Sequence, residues 1–491
     1  MTYESNAPII VGAGVALQRF DDPSQGVEAA VLMQRALENA ADDAGSRAIL
    51  HNADALLIPQ GTWPYANPGS IVAPWNPHLR TTVADLGVLQ QTLLSRACSM
   101  VADGSADVVL VCGGEAKYRA LRGQITGVAP ADSPTEGVPH ERLTRSDDIL
   151  TPEEIRRGLV VPARQYAMID TALRYAQGLS AAQHVEVLAD LWSGFNAVAI
   201  ANPHAWSRTV IPRNTFVDAP PSTLMAANPM LAWPYRKLHC SQWNVDQAAG
   251  LIVCSAAAAE RFAIPRERWV FAHVGIESNM IVPLTRRAAL HRAPAVRVAG
   301  DAVLAHCGIA PDDFDHLDIY SCFPAAVRVQ TAELDIDDHR ALTITGGMTF
   351  AGGPFNNYTL QAVAEMTHVL RANPTTKGLV TNVSGMLTKY GMSAWSCQPP
   401  ARPFESLDVS AIAAAATTTV SVDADYHGPA RVASYTVTYD KGLPLLGIVI
   451  ADTPGGQRCL ARSSAADLVA DMVTNEWCGR SIAVQAEALC G

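Results

Sequence analysis

The chain has 491 residues, more than the ~250–300 at which a single core stops growing, so two or three globular units are expected. Hydrophobic residues make up 49% and charged residues 17%, which excludes long disordered stretches. The formal net charge of −11, without a block of Lys and Arg among aromatic residues, argues against a nucleic-acid partner.

The cysteines and the N-terminus bear on the cellular compartment. The ten cysteines are spread thinly, and no pair has the C-x-x-C spacing of a zinc or redox motif. Reduced thiols, a cytoplasmic location and no bound metal are therefore predicted. No basic region opens the chain, and no apolar run reaches the ~18–20 residues of a spanning helix, so neither export nor membrane insertion is expected.

Apolar runs of strand length alternate with helical patterns from the start of the chain. Residues 9–11 predict a strand, 27–44 a helix and 55–59 a second strand. A helix covered on most sides is predicted over 87–103, and a strand buried on both faces over 107–112. This alternation predicts an α/β protein with largely parallel pairing.

A glycine-rich turn follows the first predicted strand. Gly12-Ala13-Gly14 lacks the third glycine of a dinucleotide fingerprint, because position 17 is Leu. We interpret it as an ordinary turn, and no bound cofactor is predicted.

The same order of elements occurs twice. MQRALENAADDAG precedes NADALLI, and AGDAVLAHCGIAPDDFD precedes HLDIYSCF. QTLLSRACSMVADGSADVVLVCGG is likewise echoed by YTLQAVAEMTHVLRANPTTKGLVTNVSG, which predicts two copies of one βα unit. Between the copies, a long stretch of Pro-rich turns and short helical patterns predicts an insertion that shapes a cleft. After residue 398, short β-rich runs between turn signals predict a small barrel.

These patterns predict five segments. They are the first part of the N-terminal half (1–117), an inserted loop domain (118–235), the completion of the N-terminal half (236–270), the C-terminal half (271–398) and an additional β-rich domain (399–491).

Four segments together carry a resemblance to a known family. They are GSADVVLVCGGEA, NVDQAAGLIVCS, TGGMTFAGGPFNNYTLQA and KGLVTNVSGM. In this order and spacing, residues 5–400 resemble the thiolase superfamily, particularly the acetyl-CoA acetyltransferase and sterol-carrier-protein thiolase branch. The whole chain resembles the mycobacterial thiolase-like proteins of type 1. The resemblance implies a layered α-β-α-β-α fold of two duplicated halves, with an added C-terminal domain related to oligonucleotide-binding-fold (OB) barrels.

The resemblance also shows where thiolase chemistry would be located. A thiolase needs a nucleophilic cysteine, an activating histidine and a second cysteine that moves a proton. The corresponding positions hold Gly87, Gly353 and Val383. Because these groups act as a unit, their loss makes thiolysis or Claisen condensation by the covalent route implausible.

Other side chains of these segments are candidates for a different role. Tyr320 and Tyr358 could move a proton in a reaction without a covalent intermediate, or pack as ordinary aromatic residues. Cys322 could be a nucleophile, but we favour a small packed hydrophobe.

Four further residues are candidate substrate-binding groups. They could donate hydrogen bonds to a thioester carbonyl or satisfy loop backbone, and they are Ser321, Asn356, Asn357 and Asn382.

Three functions follow as hypotheses. The first is a thiolase-like protein that binds an acyl-CoA or lipid thioester, with coenzyme A only as part of that ligand, and includes a non-catalytic lipid carrier. The second is a retro-aldolase acting on β-hydroxyacyl-CoA through Tyr320 or Tyr358. The third is a monomeric scaffold whose C-terminal domain docks on its own core.

Overall fold

The computed structural model describes residues 3–135, 137–145, 148–217 and 228–490. The strands are β1 (Pro8–Leu17), β2 (Ala55–Pro59), β3 (Arg80–Ala84), β4 (Val108–Ala116), β5 (Glu141–Leu143), β6 (Met230–Ala232), β7 (Tyr235–Arg236), β8 (Asp246–Ser255), β9 (Val270–Ser278), β10 (His316–Asp318), β11 (Lys377–Ser384), β12 (Lys389–Ser396), β13 (Glu405–Asp408), β14 (His427–Asp440), β15 (Leu443–Asp452), β16 (Arg458–Ser463), β17 (Ser481–Gln485) and β18 (Ala488–Cys490).

The α-helices are α1 (Ala29–Ala44), α2 (Ala48–His51), α3 (Gly69–Val72), α4 (Gln90–Ala102), α5 (Lys117–Thr126), α6 (Pro152–Arg156), α7 (Pro162–Ala176), α8 (Ala181–Ala201), α9 (Asn214–Val217), α10 (Ala256–Arg261), α11 (Pro294–Cys307), α12 (Pro324–Leu334), α13 (Gly347–Phe350), α14 (Tyr358–Ala372), α15 (Ser410–Ala416) and α16 (Ala466–Thr474). Short 3-10 helices span Pro23–Gln25, Lys237–His239, Arg266–Arg268, Leu284–Arg286 and Pro311–Asp313.

The large sheet consists of two halves with the same strand order. Its path runs β10-β11-β12-β9-β1-β8-β4-β2-β3-β5, and β1 joins β9 where the halves meet. In each half the last strand is antiparallel to both of its neighbours: β8 lies between β1 and β4, and β12 lies between β9 and β11. The duplication predicted from the repeated segments is therefore present in the topology.

The pairing is mixed rather than largely parallel. β2 pairs in parallel with β3 and β4, and β10 pairs in parallel with β11, as predicted. The pairings that involve β8 and β12 are antiparallel. Only a short turn, residues 385–388, joins β11 to β12, and a parallel connection would need a crossover of a dozen or more residues.

Two helices lie between the halves of the sheet, and others cover its outer faces. α4 contacts β4, β8, β9 and β12, and α14 contacts β1, β8 and β11. α14 is buried on nearly all sides over its first turns. α1 covers β1, β4 and β8, whereas α11 covers β9 and β12. The layers therefore run α-β-α-β-α, as the resemblance implies.

The Gly12-Ala13-Gly14 motif lies inside β1 and not in a turn after it. A Cβ at Gly12 would overlap the carbonyl of Ala40, and one at Gly14 would overlap the carbonyl of Ala36. The glycines therefore allow α1 to lie directly on the strand, and the prediction of a turn was wrong at this point.

The C-terminal strands close into a small barrel. β14 pairs with β15, β15 with β16, β16 with β18, β18 with β17, and β17 returns to β14. β16 and β18 are parallel and α16 connects β16 to β17. β13, which precedes the barrel, pairs instead with β9 of the large sheet.

The barrel packs on the rest of the chain through polar and apolar contacts. The guanidinium of Arg458 donates to the carbonyl of Arg287 at 2.8 Å, and the Ser434 hydroxyl donates to the carbonyl of Met168 in α7 at 2.6 Å. β6 of the insertion pairs with β14. Among the described helices, none combines the length and the apolar character needed to cross a membrane.

Candidate functional site

Gly87, the position that the resemblance assigns to the thiolase nucleophile, lies just before helix α4. Gly87 has a φ of +97°, in the left-handed region, and the helix begins three residues later at Gln90. The carbonyl of Gly87 accepts a hydrogen bond from the Lys389 ammonium at 2.7 Å. A left-handed glycine without a side chain supplies no nucleophile at this helix start.

Gly353, the position that the resemblance assigns to the activating histidine, lies against the Ser241 side chain. A Cβ on Gly353 would overlap the Ser241 hydroxyl and crowd Met348. Backbone hydrogen bonds hold both segments, because Gly353 N donates to the carbonyl of Gln242 at 2.8 Å and Ser241 N donates to that of Cys322 at 3.0 Å. A side chain at position 353 would therefore require the Ser241 hydroxyl to move.

Val383, the position that the resemblance assigns to the second cysteine, lies in the buried strand β11, just before a strained turn. Val383 pairs with Tyr390 and is buried in the core. In the turn that follows, Gly385, Met386 and Leu387 have φ values of +60°, +55° and +68°. Left-handed non-glycine residues cost about 1–3 kcal/mol each and cluster at functional sites.

The N-termini of α4 and α14 are joined by side chains. Gln91 N at the start of α4 donates to Asn382 Oδ1 at 3.3 Å, and Asn382 Nδ2 donates to Thr359 Oγ1 in α14 at 2.9 Å. Thr359 N donates to Gln90 Oε1 at 2.6 Å. The amide oxygen and the amide nitrogen of Asn382 therefore both have hydrogen-bond partners at the helix ends.

The other predicted binding groups are in different environments. Asn356 Nδ2 donates to the carbonyl of Gln60 at 3.2 Å, and Ser321 Oγ accepts from Met348 N at 3.1 Å. Asn357 is 2% exposed, and among the described residues neither its amide nitrogen nor its oxygen has a hydrogen-bond partner. An unsatisfied buried amide costs about 1–3 kcal/mol, and among the four predicted binding groups this cost falls on Asn357.

The rings of Tyr320 and Tyr358 pack against each other, but the two hydroxyls have different surroundings. The two rings are edge to face with centroids 5.7 Å apart. The Tyr358 hydroxyl donates to Asp318 Oδ1 at 2.9 Å and lies 2.6 Å from Thr345 Oγ1. Burial, with Asp318 beside it, raises the pKa of Tyr358 well above its usual value, and burial raises that of Tyr320 as well. The Tyr358 hydroxyl is thus held by hydrogen bonds within the core.

Cys322 lies against an aromatic residue that the sequence did not single out. Burial raises the pKa of the Cys322 thiol to about 12, although a hydrogen bond with Tyr166 lowers it in part. The Tyr166 ring stacks on Phe323 with centroids 4.5 Å apart. A protonated, packed thiol supports the interpretation of Cys322 as a small hydrophobe.

A cavity of about 520 Å³ opens beside the strained turn. Leu387 and Thr388 form one wall, Met280 and Val282 another, and the segments 287–295 and 416–418 complete it. Its walls are mostly apolar, and the guanidinium of Arg287 lies among them.

Arg287 is a buried cation with a free hydrogen-bond donor. Its Nε donates to the carbonyl of Val282 at 3.0 Å and its Nη2 to that of Met386 at 2.6 Å. Nη1 is buried and has no hydrogen-bond partner among the described residues. Burial lowers the pKa of Arg287 to about 10, so the group stays charged at neutral pH. No sequence motif includes Arg287 or Tyr166, because both lie outside the four segments that carry the family resemblance.

The chain was compared with known families and solved structures. Residues 410–488 match the family described as the thiolase-like protein type 1 additional C-terminal domain. The structure is similar to a monomeric SCP2-thiolase-like protein type 1 from Mycobacterium smegmatis, with a TM-score of 0.83 and 25% identity over 99% of this chain and 98% of the other.

Two less similar structures share the fold. An Ltp2–ChsH2(DUF35) aldolase has a TM-score of 0.59 and 17% identity over 81% of this chain and 100% of its own. An acetyl-CoA acetyltransferase from Syntrophomonas wolfei has a TM-score of 0.54 and 17% identity over 80% of this chain and 100% of its own. The matched C-terminal domain and the fold shared along nearly the whole chain confirm the resemblance to the thiolase superfamily and, within it, to the thiolase-like proteins of type 1.

Proposed function

We propose that this protein binds an acyl-CoA or a lipid thioester and does not use the covalent thiolase mechanism. The observation that carries the proposal is the mostly apolar cavity beside residues 385–388, whose lining includes Arg287, a buried cation whose Nη1 has no hydrogen-bond partner among the described residues. Ligand sites are typically apolar clefts with a few well-placed polar groups. A relative with the same fold is an acetyl-CoA acetyltransferase, which supports a thioester as the ligand.

The chemistry of the cavity suits an acyl thioester. Its apolar walls would bury the acyl chain, and each buried methylene contributes about 0.8 kcal/mol. A charged N–H donor would bind the thioester carbonyl or a phosphate oxygen more strongly than a neutral donor. Arg292 lines the same cavity, but its guanidinium is already paired with Glu333 at 2.7 Å.

The residues at the three thiolase positions support the absence of covalent chemistry. Gly87 and Gly353 carry no side chain and Val383 carries no proton donor or acceptor. Covalent catalysis needs a nucleophile within hydrogen-bond reach of a base, and these positions supply neither.

Calorimetric titration of the full chain with CoA, acetyl-CoA and a long-chain acyl-CoA tests the proposal. We expect binding that tightens with the acyl chain and weakens about 10–100-fold in Arg287→Gln, because a hydrogen bond to a charged donor is lost. Arg287→Lys, which keeps the charge, should lose less. Arg292→Gln is the matched control and should change the affinity little. No heat with any of the three compounds would contradict the proposal and favour the scaffold hypothesis.

Thiol chemistry provides a second readout. Because the described cysteines do not line the cavity, alkylation should leave acyl-CoA binding intact. Loss of binding on modification of Cys322 would show that our interpretation of this residue is wrong.

A retro-aldolase acting on β-hydroxyacyl-CoA is the second candidate. The aldolase that shares this fold and the position of Tyr320 beside Tyr358 favour it, although the Tyr358 hydroxyl is held by Asp318. Incubation with a β-hydroxyacyl-CoA would release a carbonyl product from the native protein and not from Tyr320→Phe. No release from either protein would eliminate this candidate.

We further propose the five-segment division, a monomeric state and a cytoplasmic location. The monomeric state has two supports, since the M. smegmatis relative is monomeric and β5 occupies the outer edge of β3. The closed strand ring with α16 between β16 and β17 supports a relation of the added domain to OB barrels.

A further inference from the structure

Three side chains with metal-binding atoms meet on one side of helix α14. Glu365 and His368 are three residues apart in that helix and therefore share a face. His204, from the loop after α8, places its Nδ1 3.2 Å from Glu365 Oε2. One ligand atom from each of the three residues lies within 4.8 Å of the others.

The loop that carries His204 is held firmly by hydrogen bonds. His204 N donates to Asn202 Oδ1 at 2.8 Å, and Asn202 Nδ2 donates to the carbonyl of Thr345 at 3.0 Å. The carbonyl of His204 accepts from Gln247 Nε2 at 3.2 Å. Because the backbone on both sides of the cluster is fixed, the ligand atoms need only side-chain rotation to approach an ion.

His368 has the outer contacts that orient a ligating imidazole. Its Nε2 lies 3.2 Å from the carbonyl oxygen of Ala13 in β1. Asp43 Oδ1 lies 4.0 Å from the same nitrogen, and the charge of Asp43 is balanced by Arg268 and Arg371. Backbone carbonyls and carboxylates are the usual outer partners of metal-bound histidines.

We propose that His204, Glu365 and His368 form a binding site for a Zn²⁺-type divalent transition-metal ion. Two imidazoles and one carboxylate are a donor set of zinc sites that keep an open position. Tetrahedral ligands at ~2.1 Å from zinc lie about 3.4 Å apart, a spacing that small rotations of these side chains reach. The side chains are 39%, 16% and 32% exposed, so an ion can enter from solvent.

The ion would connect parts of the chain that are distant in sequence. It would tie the loop after α8 to α14, next to β1. His368 is ten residues from Tyr358 at the start of α14, which places it about 15 Å along the helix from the candidate site. None of the three residues is among the described residues that line the cavity of the proposed acyl-CoA site, so either proposal can fail without the other.

Titration of chelator-treated, full-length protein with ZnCl₂ tests the proposal, with the visible absorption of Co²⁺ as a second readout. We expect one Zn²⁺ per chain, bound more than about 10-fold more weakly in His204→Ala and in Glu365→Gln. His339→Ala is the matched control, because it removes the histidine of the fully exposed cluster Asp337-Asp338-His339. Its affinity should equal that of the native protein.

Two results would overturn the site. One is the absence of Zn²⁺ and Co²⁺ binding by the native chain, and the other is unchanged affinity in both His204→Ala and Glu365→Gln. Glu365→Gln preserves the size of the side chain, so it decides the question if His204→Ala does not fold. Circular dichroism of each variant establishes that the fold is retained.

Discussion

Single residues support the proposed absence of covalent thiolase chemistry. At Gly353 the missing imidazole is not a simple deletion, because Ser241 fills the space that a side chain would need. The segments on both sides are held by backbone hydrogen bonds and cannot readily move apart. Restoring the histidine alone would therefore strain the core before it restored a base.

Gly353→Ala should destabilise the protein by about 1–3 kcal/mol, because the new Cβ overlaps the Ser241 hydroxyl. The same substitution in a Ser241→Ala background should cost clearly less. Urea unfolding of the native chain, both single variants and the double variant measures this coupling. An equal cost in both backgrounds would contradict the packing argument.

The buried imidazole of His239 should make the folded protein less stable in acid. Its imidazole is 2% exposed, and burial lowers its pKa to about 3 from the usual 6.5. Between these values the unfolded chain binds a proton that the folded protein does not. Stability should therefore fall as pH decreases below 6.5, by about 1.4 kcal/mol per pH unit for this group.

Replacing His239 with Asn removes the titrating group but keeps an acceptor for Arg236 N, which donates to the imidazole at 3.2 Å. The slope of unfolding free energy against pH between 6 and 4 should be smaller in His239→Asn. It should not vanish, since burial also lowers the pKa of His273 to about 4. Urea unfolding at several pH values measures the slope, and identical slopes would refute the assignment.

At the scale of elements, the N-termini of α4 and α14 are the places that position the site. In a thiolase such a helix start presents the nucleophile, whereas here amide side chains from neighbouring segments satisfy the free N–H groups. The two buried helices are thus tied to each other and to β11. This arrangement stabilises the starts of both helices.

Asn382→Ala should cost about 1–3 kcal/mol, because it leaves Gln91 N and Thr359 Oγ1 without a buried partner. The matched control is Asn356→Ala, which removes one hydrogen bond from a partly exposed residue and should cost less than about 1 kcal/mol. Guanidinium unfolding measures both. Similar costs would mean that the link between the helix ends contributes little.

At the scale of the whole molecule, the edge of the large sheet is covered from within the chain. β5 of the insertion pairs in parallel with β3 through residues 141–143. An open strand edge is a template for pairing with another chain. The pairing of β5 with β3 removes one route to association. The C-terminal barrel packs on the rest of the same chain.

The chain should therefore have a solution mass near 52.2 kDa at all accessible concentrations. Arg142→Pro, which breaks β5, should increase self-association. Arg142→Ala, which removes only the side-chain bonds to Asp85 and the carbonyl of Ala66, should not. Light scattering coupled to size-exclusion chromatography distinguishes the species, and a native dimer would contradict the proposal.

Sequence patterns alone determined the alternation of helices and strands, the duplication and the added β-rich domain, because periodicity and turn residues act over short distances. The resemblance, and not periodicity, identified Gly353 and Val383 as the positions that correspond to a thiolase histidine and cysteine. The direction of β8 and β12 and the role of Gly12 and Gly14 depended on which elements pack together. The cavity around Arg287 and the cluster of His204, Glu365 and His368 were likewise decided by tertiary structure alone, because they join segments that are distant in the sequence and whose contact no local pattern predicts.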